Sequence, residues 1–268
     1  MKNDMDNLTL LIADFSIRLT FQNSAVPRLK NRFKVEIKDF FKDFISNKPD
    51  KESDFVIEIT DNIPDNRRKY TQVIKGNKHY VLFYKKTGSK WITCFYQNSV
   101  FHFQIIVQNI LYELLTKNKG FMVHASASKI GNKAFLFLGQ SGAGKSTSVA
   151  LLKKVYSPLS DDFSIIRKIK DEYFFYQHPF REKNNIENKN FSRYLLGKVF
   201  FLEKSLYFKV EKINNENKTT EWMIKQLMSP NPSMMRTLMQ FCLEFNGYYK
   251  LSFVKEETGM INLLRKQS

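Results

Sequence analysis

Cysteine is nearly missing from this chain: of 268 residues only Cys94 and Cys242 are thiols, each inside an apolar run. Two separated thiols build neither a disulfide framework nor a cysteine-based metal site, so a reducing, cytoplasmic home is expected. No run approaches the ~20 apolar residues of a membrane-spanning helix. The opening MKNDMDNLTLLIADF carries acids where a signal peptide carries positive charge, so no membrane partner is expected. Acid is scarce too, with 26 Asp and Glu against 43 Lys and Arg and a net charge of +17. The lysines are scattered through almost every segment rather than gathered in a tail or on one helix. That spread argues for a solvated basic surface and against nucleic-acid binding; the partner it would steer is an acidic protein or peptide. Glycine is sparse at 10 residues, which makes a local cluster of it informative.

Hydrophobic residues make up 43% of the chain and aromatics 15%, enough for a packed core. The pattern divides near residue 120. Residues 1–118 read as a smaller domain of mostly antiparallel strands: LTLLIADFSIRLTF, DFVIEIT, and a meander from YTQVIKG to WITCFYQ with turns at Gly76-Asn77 and Gly88-Ser89. VPRLKNRFKVEIKDFFKDFI between the first two reads as a charged amphipathic helix. FHFQIIVQNILYELLTKNKG has helical spacing at Ile106, Ile110 and Leu114 and ends in Lys then Gly, the pattern of a helix joining two parts. Residues 119–268 read as an α/β core. FMVHASASKI is expected as one strand, Gly131-Asn132 as a hairpin turn and KAFLFLG as a buried strand, followed by a helix with Val149, Leu152 and Val155 on one face.

Between that strand and that helix lies GQSGAGKST: Gly139, Gln140, Ser141, Gly142, Ala143, Gly144, Lys145, Ser146 and Thr147. It matches GxxxxGK[ST], and the order strand, glycine loop, helix is the setting in which that spacing works. The glycines let backbone N–H groups curl around phosphate oxygens while the positive end of the helix faces the same anion. Lys145 is placed to span the β- and γ-phosphates of ATP and the Ser146 hydroxyl to ligate Mg²⁺. Further on, YSPLSDDFSII ends a short strand with two acids, Asp161 and Asp162. Beside a phosphate, paired carboxylates permit a division of labour, one toward the metal and one accepting a proton from an attacking hydroxyl. His124 precedes the loop, on the strand that the expected hairpin would set against the loop strand.

Taken together, His124-Ala125, GQSGAGKS and the SDD pair resemble the catalytic domain of HPr kinase/phosphorylase and its phosphoenolpyruvate carboxykinase-like relatives. The resemblance covers roughly residues 118 to 255, with GKVFFLEKS similar to a recurring core strand. It implies that Lys145 binds phosphates, Ser146 holds Mg²⁺, Asp162 is the catalytic base, Asp161 sits by the metal and His124 orients the acids. The family's later Glu and Arg-Gly pair is not matched in EYFFYQHPFREKNNIENKN. Glu182 beside Arg181 is the expected replacement as metal ligand, and neither HPr as substrate nor the reverse reaction is supported. His178, before a proline in a loop, is ambiguous between a site role and the structural role usual at such a position.

The tail adds a strand (LYFKVEKIN), two helices (TEWMIKQLMS and NPSMMRTLMQFCLEF, with Asn231 as cap and Pro232 in the first turn) and a strand (YYKLSFV). Met223, Leu227, Met234, Leu238 and Phe241 read as core. The implied activity is ATP- and Mg²⁺-dependent transfer of phosphate to a hydroxyl, with serine of a protein or peptide, including a ribosomally made peptide, as the expected acceptor. A nucleotide switch or NTPase and a non-catalytic ATP-binding module stand as alternatives. A homo-oligomer is left open.

Overall fold

The protein is described from a computed structural model that covers residues 7–46, 52–60, 71–73, 80–87, 90–94, 99–184 and 186–267, with the backbone alone for 71–73, 80–87 and Cys94. The turns expected at Gly76-Asn77 and Gly88-Ser89 lie outside these residues. The architecture is mixed α/β, with two sheets and six α-helices among the described residues. The chain separates into two compact units, Met1–Leu114 and Leu115–Ser268.

The first unit contains β1 (Asn7–Ile12), β2 (Phe15–Phe21), α1 (Pro27–Phe40), β3 (Ile45–Ser46), β4 (Phe55–Thr60), β5 (Thr71–Val73), β6 (Tyr80–Thr87), β7 (Lys90–Cys94) and most of α2 (Val100–Lys117). Its sheet has the order β3-β1-β2-β4-β7-β6-β5. Antiparallel joints predominate, but β2 with β4 and β4 with β7 run parallel. LTLLIADFSIRLTF is a hairpin and not one strand, because Ala13 and Asp14 both take positive φ, 53° and 60°. Neither residue signals such a turn as Asn-Gly does, so the sequence pattern runs straight through it. The α1 helix is where the amphipathic pattern places it and buries Phe33 and Ile37. Phe103 of α2 meets Phe33 and Phe41 edge to face at 5.8 and 5.9 Å, a favoured aromatic arrangement.

The second unit contains β8 (Gly120–His124), β9 (Ser126–Ile130), β10 (Lys133–Leu138), α3 (Lys145–Leu152), β11 (Ser157–Ser160), β12 (Phe163–Ile169), β13 (Glu172–Tyr176), β14 (Arg193–Lys204), β15 (Lys209–Lys212), α4 (Glu216–Ile224), α5 (Pro232–Glu244), β16 (Tyr248–Phe253) and α6 (Glu257–Arg265). The sheet order is β11-β9-β10-β14-β13-β12-β8, and β16 joins β14 and β15. The long β14 is the spine: its start pairs with β13, its middle with β10 and its end with β16, the last two in parallel. Parallel pairing puts the carboxyl ends of β10, β14 and β16 together, so the glycine loop after Leu138 stands beside Leu202–Lys204.

Both faces of this spine are covered. Phe137, Phe200, Leu251 and Phe253 pack with Val149 and Leu152 of α3 and Met260, Ile261 and Leu264 of α6. Alternation along the strands sends the neighbouring residues the other way. Phe201 stacks on Tyr248, and Tyr248 meets Phe241 of α5. Met223, Met234, Leu238 and Phe241 are fully buried and Leu227 nearly so, core as their spacing predicts. Three local readings change. The α3 helix stops at Leu152, leaving Val155 outside it and 46% exposed. FMVHASASKI is two strands broken at Ala125, as set out below. The α6 helix, absent from the sequence reading, is capped by Glu256, whose carboxylate accepts from the N–H groups of Thr258 and Gly259 at 2.6 Å each.

Candidate active site

The glycine loop leaves β10 at Gly139 and enters α3 at Lys145. Gly142 and Gly144 hold φ of 81° and 106°, the left-handed region that only glycine adopts without strain. At Gly144 a second constraint applies: a Cβ would stand 2.6 Å from the Phe253 ring, so the loop lies against the end of β16 with no room for a side chain. Gly144 is also the N-cap of α3, and no side chain caps the helix; its first N–H groups and positive dipole end are left for an anion. Lys145 is buried, and its ammonium donates to the carbonyls of Gly139 at 2.8 Å and Gln140 at 3.4 Å. Burial lowers its pKa, opposed by the carboxylates of Asp162 and then Asp161. Ser146 and Thr147 open the helix half-buried.

The acids sit at a break shared by two strands. Up to the break β11 pairs with β9, Ser160 opposite Ala127; beyond it β12 pairs with β8, Phe163 opposite His124. The hairpin at Gly131 therefore sets β9 against β10, and His124 lies on β8, beside β12 and not beside the loop strand. This corrects the single-strand expectation. FMVHASASKI contains no Gly, Pro or Asn to mark a break, so no turn residue signals that its pairing partner changes at Ala125.

Four small residues of the ASAS and SDDFS segments hold the break together. Ser126 donates to the Asp161 carbonyl at 2.7 Å, and Ser160 and Ser164 donate to the Ala125 carbonyl at 3.4 and 3.1 Å. Backbone groups freed by the change of partner thus keep hydrogen bonds.

At the break, His124 and Asp162 form a pair, Nδ1 to Oδ1 at 2.9 Å, with side chains 43% and 33% exposed. Asp161 turns inward and is 3% exposed. Its Oδ2 accepts from the Asn184 side chain at 2.8 Å and backbone at 3.3 Å, while its buried Oδ1 has no hydrogen-bond partner.

Glu182 lies at the acid turn. Its Oε1 accepts from the backbone N–H groups of Asp161, Asp162 and Phe163 at 2.8, 3.0 and 3.4 Å, and its Oε2 pairs with Lys189 at 2.7 Å. Through these contacts Glu182 clamps the acid turn. Burial pushes its pKa up, but hydrogen bonding to the His178 ring, 3.3 Å away, and to the Lys189 ammonium outweighs burial and holds it well below the usual carboxylate range.

His178 is fully buried, and burial lowers its pKa. Its Nδ1 accepts from the Phe180 N–H at 3.2 Å, which leaves the proton on Nε2, 3.1 Å from the Phe163 carbonyl. It is a structural histidine, the role usual before a proline in a loop.

Sequence reasoning missed Gln226 and Asn184. The Gln226 carbonyl accepts from the His124 N–H at 2.8 Å. In the orientation that satisfies its surroundings, the Gln226 amide nitrogen lies 3.2 Å from the carbonyls of both Gly139 and His124. One side chain thus links the glycine loop to the histidine strand. No motif marks either residue; only the fold brings them here.

Among the described residues no three His, Cys, Asp or Glu side chains gather as a metal cluster, and no helix is long and apolar enough to cross a membrane. No family model and no curated protein matches the sequence. A solved structure of the Hpr(Ser) kinase/phosphatase from Coxiella burnetii is similar at 14% identity and a TM-score of 0.33, over 54% of this chain and 94% of that one. A likeness of that degree is distant, and the chemistry rests on this chain's own residues.

Proposed function

We propose that the protein is an ATP- and Mg²⁺-dependent kinase that transfers phosphate to a hydroxyl, with serine of a protein or peptide as the acceptor. The observation that carries the reading is the His124–Asp162 pair at 2.9 Å, on a strand that Gln226 links to the start of the phosphate loop. A nucleotide switch needs the loop; it has no need of a partly exposed, histidine-oriented carboxylate beside it.

The uncapped start of α3, the open space around Gly142 and the unpartnered buried oxygen of Asp161 fit a metal-bound polyphosphate. Bound there, Mg²⁺ and ATP supply a γ-phosphoryl group whose charge is neutralised for in-line attack. The chain's residues do the rest. Loop N–H groups hold the phosphates, and Lys145 exchanges the Gly139 and Gln140 carbonyls for phosphate oxygens. Ser146 and Asp161 are the side chains that would hold the metal, which keeps waters for its remaining positions. Asp162 accepts the acceptor hydroxyl's proton as the oxygen attacks, and His124 fixes the carboxylate's orientation. Glu182, from beneath, fixes the turn that carries both acids.

Incubation with ATP, Mg²⁺ and serine-containing peptides, read by mass spectrometry and by ADP release, tests this. ADP formation that requires an acceptor and matches phosphopeptide formation is expected. Steady ADP release without acceptor, and no phosphopeptide, would instead assign an NTPase.

A further inference from the structure

A cavity of about 300 Å³ opens beside the start of the glycine loop, the size of a small-ligand subsite. Gly139 and Gln140 form one wall, the end of β14 at Phe201–Glu203 another, and α4 with Gln226 a third. None of the phosphate chemistry above uses it. Its charged lining is mostly cationic: Lys218, Lys225 and Lys250 against one acid, Glu203.

The charges are unequal in availability. Lys250 is 2.7 Å from Glu203, which also accepts from Ser252 at 3.0 Å. Lys225 pairs with Glu221 along α4 at 2.5 Å. Lys218 pairs with no carboxylate among the described residues; its ammonium lies over the Trp222 ring, 4.8 Å from the centroid. Phe201 meets the same ring at 4.9 Å with a 60° tilt, so the two rings do not form the parallel slot a nucleobase would stack into. A lysine held at the cavity wall without an ion pair suits an anionic side chain. The position agrees, since Gln226 lines the cavity and also binds the backbone of His124, the partner of Asp162. The cavity and the strand that carries His124 therefore share one neighbour, Gln226.

We infer that this cavity is an acceptor-recognition site in which Lys218, with Lys225 and Lys250 around Trp222, holds a carboxylate of an acidic peptide next to the hydroxyl to be phosphorylated. The inference rests on the kinase reading for its purpose but not for its test. Trp222 is one of two tryptophans and lines the cavity, so its fluorescence reports occupancy without turnover.

Two short capped peptides are titrated, one with serine among glutamates and one with glutamine at those positions. The acidic peptide is expected to bind about tenfold tighter, the worth of one charge-assisted contact, and Lys218→Glu is expected to erase or invert the preference. That variant should fold: position 218 is the third residue of α4, capped by Asn215, where an acid favours the helix. Equal binding of the two peptides overturns the inference, as does a Lys218→Glu protein that keeps the preference. A Lys218→Glu protein that loses affinity for a fluorescent ATP analogue also overturns it, since the cavity would then serve the nucleotide. Acidic preference without any phosphoryl transfer would uphold the site and remove the kinase reading. Transfer with no acidic preference would do the reverse.

Discussion

Glu182 and His178 show how much of this site is support rather than chemistry. A buried carboxylate that takes three backbone N–H groups and a lysine stabilises only while it is ionised and paired. Replacing it by Gln leaves Lys189 without its counter-charge, and a loss of about 3–5 kcal/mol is expected in denaturant unfolding.

The pH dependence has a definite sign. His178 is held neutral by burial, so below about pH 6.5 the unfolded chain binds a proton that the folded one refuses, and stability begins to fall. Glu182 is held ionised well below its ordinary range, so a second loss begins as the unfolded carboxyl protonates near pH 4.5. Thermal melts from pH 8 to 4 should be flat at first and then decline in these two steps. Glu182→Gln should remove the lower step; a decline of the same size in that variant would contradict the assignment.

Among the elements, the glycine loop is the most fully legible in sequence, because each of its residue types answers a backbone demand. Gly144 meets two demands at once, a φ of 106° and the Phe253 ring. Gly144→Ala should therefore weaken nucleotide binding at least about tenfold, from strain of ~1–2 kcal/mol in the left-handed region before the ring contact is counted. Equilibrium binding of a fluorescent ATP analogue measures it.

Elements whose ends depend on distant partners were less legible. The capped α5 is read in place from Asn231 and Pro232, and α1 from its apolar stripe. The break at Ala125 is invisible locally, because what changes there is the neighbour and not the residue pattern. The hairpin at Ala13-Asp14 hides for a related reason, a turn made without glycine. The clamp that Glu182 makes was not legible, because the backbone groups it takes are named by no sequence motif.

At the scale of the whole molecule, the second unit carries the glycine loop, the acid turn and the basic cavity on one sheet. Helices cover both faces of its spine, α3 and α6 on one and α4 and α5 on the other. A ligand held by the loop should therefore raise the stability of this unit as a whole. Mg²⁺ and ATP at about a hundred times the dissociation constant contribute ~2.7 kcal/mol, an upward shift of several degrees for a domain of this size. Lys145→Ala should abolish the shift in differential scanning fluorimetry; an equal shift in that variant would place nucleotide binding elsewhere.

The most direct test of the account is the phosphoryl-transfer rate of Asp162→Asn against the unaltered protein, with a peptide acceptor and saturating ATP and Mg²⁺. Asn keeps the side chain's shape and removes its charge and its capacity to take a proton. A fall of about 10²–10⁴-fold in transfer, with ATP affinity changed little, is the predicted result. Undiminished transfer would contradict the account at its centre.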